Sequence, residues 1–178
     1  SRPLHADDDA TLSRLVAAGD RRAFQQLVLR HEARLRGFLG RVAGEAEGDE
    51  LAQDALLRAW QRGGDYRGEG SWFCWVTGIG WRLFLDRRRR EGRRAAMLAA
   101  EPPADPVADP ESGAALDLDR LFAALGDGER AAMTLCLGHG HSHAEAAAIL
   151  GLPLGSVKSL VQRGRDKLQG LIAAGERA

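Results

Sequence analysis

The sequence predicts an all-α fold: two small helical domains joined by a flexible acidic linker. Three observations predict it. Apolar residues recur at steps of three and four along most of the chain, and no window sustains period-two alternation. Short polar residues suited to helix caps stand ahead of those runs. The stretch EPPADPVADPESG, Glu101 to Gly113, holds four prolines and four acids without one aromatic, so it cannot bury enough surface to order itself. The expected units are 8–96, a Pro-rich acidic linker over 97–115, and 116–174.

In chain order, Asp9 is expected to cap a short helix ending near Gly19. Asp20 caps the next, whose stripe is Phe24, Leu27, Val28, Leu35, Phe38, Leu39 and Val42. A third helix runs from about Asp49 to Arg62, with Leu51, Ala55, Leu56 and Ala59 inward. Ser71 caps a fourth, with Trp72, Trp75, Val76, Ile79 and Leu83 on one face. Past the linker, Leu116–Leu125 and Asp127–Leu137 suit helices. Ser142 and Glu145 have the spacing of a capping box. Gly151 ends the short alanine-rich helix Ala144–Leu150, and Pro153 suits the first turn of the helix after it.

Apolar and aromatic residues make up 44% of the 178, enough for a buried core. The formal net charge is zero, but the charges are segregated. Trp81 to Arg94 holds seven arginines against two acids, and Glu101 to Asp119 holds six acids and no base. The two cysteines, Cys74 and Cys136, are far apart and form no CxxC, which fits a reducing compartment. The N-terminal SRPLHADDD lacks the regions of a signal peptide, and no apolar run approaches membrane-spanning length. A cytoplasmic protein without direct membrane insertion is expected.

Two helices joined by the tight turn GLPLG form a helix-turn-helix, whose second helix can enter a major groove. On that helix Val157, Val161, Gly164 and Leu168 fall on one side. Ser159, Gln162, Arg163 and Asp166 fall opposite, flanked by Ser156 and Lys158. Lys and Arg attract phosphate, and Ser, Gln and Arg can also reach base edges. A second constellation is aromatic and basic. Seven of the ten aromatics lie between Trp60 and Phe84, and the run RRRREGRR follows at once. Phe73, Trp81 and Phe84 cannot all share the face of Trp72, so some are exposed or pack elsewhere. Exposed aromatics beside arginines stack on unpaired bases. His139, His141 and His143 alternate in a glycine-broken segment that could hold a metal, but a loop also tolerates histidines there. No metal and no cofactor are expected. There is no glycine-rich phosphate loop, no Ser/His/Asp nucleophile motif and no HExxH, so no enzyme is expected.

Taken together, these stretches resemble the extracytoplasmic-function (group IV) sigma factors of bacterial RNA polymerase, of the sigma-70 superfamily. DELAQDALLRAW, Asp49 to Trp60, is similar to the family's polymerase-binding helix. DYRGEGSWFCWVTGIGWRLFLDRRRR, Asp65 to Arg90, is similar to the segment that recognises and melts the −10 element. GHSHAEAAAILGLPLGSVKSLVQRGRDKL, Gly140 to Leu168, is similar to the −35 helix-turn-helix. The resemblance implies a subunit that directs core polymerase to a class of promoters. Asp49, Leu51, Gln53, Asp54, Leu57 and Arg58 would meet the clamp helices of the largest polymerase subunit, and the polymerase flap would be a further contact. Tyr66, Arg67, Phe73, Trp81, Arg82, Arg87 and Arg88 would act at the −10 element. Ser156, Lys158, Ser159, Gln162, Arg163 and Arg165 would act at the −35 element. The acidic linker would thread the polymerase's RNA path. An anti-sigma factor, often membrane-bound in the family, would be the controlling partner. The sequence departs from the family at Leu160, usually Arg, and at Arg82, usually Asn. Gly78, Gly80 and Trp81 also depart. The competing reading is a helix-turn-helix regulator that is not a polymerase subunit. DELAQDALLRAW speaks against it, since a sensor domain has no reason to carry that helix.

Overall fold

Short polar side chains start several of the helices, though not always the expected ones. A computed structural model describes residues 8–98 and 118–175, and it is helical with no strand among them. Helix α1 (Asp9–Ala17) is capped by Asp8 rather than Asp9: the Asp8 carboxylate accepts from Thr11 N at 2.8 Å. Asp9 instead sits in the first turn and pairs with Arg30 and His31 of α2 (Arg21–Ala43). Asp20 caps α2 as expected, accepting from Arg22 N and Ala23 N. Gly44, at φ 92°, ends α2, and α3 (Glu45–Gln61) restarts at once, four residues before the expected Asp49. Glu45 and Glu47 in its first turn suit the positive end of the helix dipole.

The crossing of α2 and α3 is set by glycine. Gly48 lies so close to Gly40 that a β-carbon there would meet backbone, 2.5 Å from Gly40 Cα and 2.7 Å from Leu39 C. Leu27, Leu35, Phe38, Leu39 and Val42 of α2 close on Leu51, Ala52, Ala55 and Leu56 of α3. A single-turn 3-10 helix, Gly63–Asp65, leads towards α4 (Trp72–Leu98). Ser71 Oγ accepts from Cys74 N at 3.0 Å, the expected cap.

Helix α4 is buried on more than one face. Trp72, Val76, Ile79 and Leu83 are buried, as the stripe predicts, and Trp75 is half-buried. Phe73, Trp81 and Phe84 are buried as well, at 2%, 4% and 0% exposure. Trp81 stacks on Phe84 at 5.3 Å and lies 6.4 Å from Phe38. Gly80 leaves room for Leu39, whose Cδ1 would stand 3.0 Å from an added β-carbon.

The second half begins with α5 (Leu118–Ala123) and α6 (Asp127–Met133), which widens into a π turn over Thr134–Gly138. A regular helix to Leu137 is expected from the sequence. Thr134 instead back-bonds, its hydroxyl donating to Arg130 O at 2.7 Å, an arrangement that perturbs helical geometry. Helices α7 (His143–Leu150) and α8 (Leu154–Gly175) follow. The linker expected over 97–115 lies, from residue 99 on, outside the described residues, as does the start of the helix expected from Leu116. No single helix among the described residues is long and apolar enough to cross a membrane.

The two halves share one hydrophobic cluster, which a division into two units does not anticipate. Arg130 carries much of the polar contact, donating to Val42 O at 3.0 Å, Phe122 O at 2.9 Å and Leu125 O at 2.8 Å. Arg88 of α4 pairs with Asp127 at 3.4 Å, and Arg34 of α2 donates to His139 O at 3.3 Å. Inside the second half, buried Glu129 accepts from Lys167 Nζ at 2.8 Å and from Gly126 N at 3.1 Å, tying α6 to α8. The Lys167 hydrogen bond, helped by Gly126 N, holds the Glu129 carboxyl below the usual glutamate range. Because the folded value is the lower one, its contribution is complete above the usual range and is lost as pH falls through the folded value. Glu129→Gln is expected to lose about 1–3 kcal/mol at neutral pH. Denaturant titrations of both proteins at falling pH check this: the gap should narrow below the usual glutamate range.

Candidate nucleic-acid interface

The turn between α7 and α8 is fixed from both sides. Ser142 Oγ accepts from Glu145 N, and Glu145 Oε1 accepts from Ser142 N, both at 3.1 Å, completing the capping box. Gly151 ends α7 in the left-handed region, at φ 64° and ψ 35°, where a β-carbon would be strained. Leu152 N donates back to Ala147 O at 3.1 Å, and Pro153 O accepts from Ser156 N and Val157 N to start α8. The two helices bend by 104°, within the usual range of a helix-turn-helix.

One side of α8 is docked and the other is bare. Val157, Val161 and Gly164 are buried, Gly164 under Met133 of α6. Leu168 is half-buried. Ser156, Lys158, Ser159, Gln162, Arg163 and Arg165 are all exposed, so every residue expected at duplex DNA is available. Asp166 lies on this face too, and its Oδ1 accepts from Gln162 Nε2 at 2.9 Å, holding the amide in place. Ser159 Oγ donates to Gly155 O at 3.0 Å. Leu160 is half-buried beside Gly128 of α6 rather than outward, so its apolar character suits packing.

Helix α3 divides in the same manner. Gln53, Asp54, Leu57 and Arg58 are exposed, and Leu57 keeps 55% of its surface in solvent. Leu51 is core at 0% exposure, as its inward place on the helix predicts, so it is not available for the polymerase contact that the resemblance implies. An apolar cleft of about 590 Å³ runs beside this face, lined by Phe24, Val28, Leu56, Leu57 and Trp60. Asp49 is half-buried and accepts from Arg36 at 3.3 Å. Asp54 and Glu50 each accept from Arg87 of α4 at 3.1 Å, so the set expected at polymerase and the set expected at the −10 element touch.

The residues expected at unpaired DNA separate into two kinds. Tyr66 is half-buried against Trp75, at 5.6 Å, with its hydroxyl donating to Gly70 O at 2.6 Å; burial raises its pKa. Arg67 and Arg82 are exposed, and Arg82 Nε donates to Gly78 O at 3.1 Å. Arg88 lies over the Phe84 ring at 4.8 Å. Trp81 corrects the expectation, since it is part of the core and offers no face to a base. Phe73 is covered from both halves, stacked on His141 at 5.5 Å and 4° and capped by Arg34 of α2 at 4.4 Å.

The three histidines do not act alike. His139 and His141 lie on Phe73, and burial, with Arg34 beside it, lowers the His139 pKa. His143 opens α7. The metal-competent group among the described residues is Cys74, His141 and Glu145. The sequence pairs Glu145 with a cap, and nothing in it places Cys74 nearby.

The sigma-70 region 2 model matches residues 27–94, and the sigma-70 region 4 model matches 115–168. The ECF RNA polymerase sigma factor SigM of Mycobacterium tuberculosis is 33% identical over 94% of this chain and 86% of its own length. The RNA polymerase sigma factor CnrH of Cupriavidus metallidurans is 33% identical over 94% of this chain and 96% of its own. Among solved structures, CnrH in complex with the cytosolic domain of CnrY is 28% identical, with a TM-score of 0.71, over 94% of this chain and 99% of that one. The sigma factor RpoE in complex with the anti-sigma factor NepR, from Bartonella quintana, is 28% identical, with a TM-score of 0.70, over 84% and 96%. Two sigma models in the family's order, and relatives spanning nearly the whole chain, place it in the extracytoplasmic-function family of RNA polymerase sigma factors.

Proposed function

We propose that this chain binds core RNA polymerase and starts transcription at a defined class of promoters, acting in the cytoplasm as an initiation factor and not as an enzyme. The bare face of α8 is the observation that carries the reading: six polar or basic side chains outward, with Val157, Val161 and Gly164 anchoring the other side. That face reads the −35 element, Lys158 and Arg165 serving phosphates and Gln162 and Arg163 serving bases. The exposed face of α3, with Gln53, Asp54, Leu57 and Arg58, meets the clamp helices of the largest subunit, with Asp49 at its border. The C-terminal half, 116–174, sits on the flap.

The −10 work falls to Tyr66, Arg67, Phe73, Arg82, Arg87 and Arg88 in the N-terminal half, 8–96. Extruding a base costs a few kcal/mol and needs a surface waiting for it. Phe73 lies under His141 in this arrangement, so its use requires the C-terminal half to move away. An anti-sigma factor, soluble or membrane-bound, holds the chain inactive, a reading supported by the CnrH and RpoE complexes. The regulator alternative is not favoured, because a sensor domain would not match the sigma region 2 model.

Run-off transcription with purified core polymerase on a promoter library tests the proposal. A defined start site that depends on the added chain is expected, and its absence on every promoter would sink the proposal. On a selected promoter, Arg163→Ala should weaken −35 binding by about 1–3 kcal/mol, and much less on a scrambled −35 sequence. Equal loss on both DNAs would restrict Arg163 to phosphate.

A further inference from the structure

We propose that Cys74, His141 and Glu145 form a divalent transition-metal site, of the zinc and cobalt class, that clips the two halves of the chain together. Cys74 comes from the first turn of α4, and His141 and Glu145 flank the start of α7. One ligand atom from each lies within 4.8 Å of the others. His141 Nδ1 stands 3.4 Å from Glu145 Oε2, and Cys74 Sγ stands 4.0 Å from the same oxygen. Metal bonds of about 2.0–2.3 Å at tetrahedral angles separate ligand atoms by roughly 3.3–3.7 Å. Side-chain movements of under about 1 Å would therefore close the site.

The chemistry of the set selects its ion. A thiolate and an imidazole favour zinc, cobalt or nickel over magnesium or calcium, and the carboxylate adds a second negative charge. The capping box occupies Glu145 Oε1, which leaves Oε2 for the metal. His141 is held in place for the site: its side chain is 7% exposed, stacks on Phe73, and turns Nδ1 towards Glu145 Oε2 at 3.4 Å, a contact that a shared metal would replace. A cleft of about 250 Å³ that includes Cys74, Glu145 and Glu69 opens beside the site, offering an entry path and room for water at the fourth position. Arg82 lines the same cleft, but its Nε is directed at Gly78 O.

Binding would replace the Cys74 thiol proton, releasing it to solvent as the sulfur–metal bond forms. Because the ligands come from α4 and from the start of α7 with the residue ahead of its cap, a bound ion stabilises the packed arrangement in which His141 covers Phe73. Neither the site nor its test depends on the transcriptional reading.

Cobalt(II) titration of the purified full-length chain, followed by absorbance, tests the site. One ion per chain is expected, with a thiolate charge-transfer band in the near ultraviolet and tetrahedral d–d absorption. Cys74→Ser should abolish the charge-transfer band, whereas Cys136→Ser and His143→Ala should keep it. Glu145→Gln retains the capping acceptor and should weaken binding at least about tenfold. X-ray absorption at the zinc edge of the unaltered chain should show one sulfur among nitrogen and oxygen neighbours, a readout that needs no variant to fold. Absence of saturable binding, a charge-transfer band that survives Cys74→Ser, or a zinc edge without sulfur would each overturn the proposal.

Discussion

Gly48→Ala is expected to destabilise the N-terminal bundle by about 3 kcal/mol or more, a large share of the roughly 5–15 kcal/mol that holds a domain folded. The added methyl would sit 2.5 Å from Gly40 Cα and 2.7 Å from Leu39 C. Those are backbone atoms, so no rotamer change relieves the overlap, and α2 and α3 must separate. Separation uncovers Leu39, Leu51 and Ala52, all at 0% exposure. By contrast, Gly92→Ala makes the same chemical change in α4 with no neighbouring atom within 4 Å. It should stabilise, by up to about 1 kcal/mol. Calorimetry of both variants gives the comparison: for a chain of this size, a fall of very roughly 6–12 °C is expected for Gly48→Ala. Equal melting temperatures for the two would show that the helix crossing is not fixed by glycine contact.

Leu57→Asp is expected to leave the fold intact and to reduce affinity for core polymerase at least about 30-fold, the loss typical of a buried interface anchor. Leu57 is 55% exposed at the rim of the apolar cleft that also holds Phe24, Val28 and Trp60. A leucine in that position contributes little to folding, so thermal stability should stay within about 0.5 kcal/mol. Set against a partner, it would carry an apolar anchor, and a carboxylate there must be desolvated without a partner. Gel-shift of core polymerase with labelled chain measures the loss, and run-off transcription should fall with it. The same substitution at Leu51 should fail differently. Leu51 is 0% exposed, so a charge there attacks the fold before it reaches any interface. Unchanged core affinity for a folded Leu57→Asp protein would remove this face of α3 from the polymerase contact.

Legibility followed locality. Asp20, Ser71 and the Ser142–Glu145 pair announce helix starts because a cap is made within about three residues of itself. Gly151 and the alternation of apolar and polar positions along α8 made the helix-turn-helix readable for the same reason. The sequence alone does not distinguish Asp8 from Asp9 as the first cap, since two adjacent aspartates offer the same chemistry and only the long-range pairing of Asp9 with Arg30 and His31 separates them. Aromatic content around Trp60–Phe84 was visible, but its meaning was not. Periodicity identifies one buried face of α4, whereas Phe73, Trp81 and Phe84 on a second face are buried as well. The resemblance therefore puts Trp81 at DNA where packing makes it core, and it puts Leu51 at an interface although helical periodicity already turns that residue inward.

By itself the sequence determined that the chain is helical, where most of its helices start and stop, and which side of α8 carries charge. These are consequences of backbone hydrogen bonding and side-chain periodicity over a few neighbouring residues. Only the tertiary structure decided that Phe73 lies under His141, that Asp54 engages Arg87, and that Cys74, His141 and Glu145 converge. Residues 33 to 71 positions apart meet only when whole helices pack, and that packing depends on shape and volume summed over both halves.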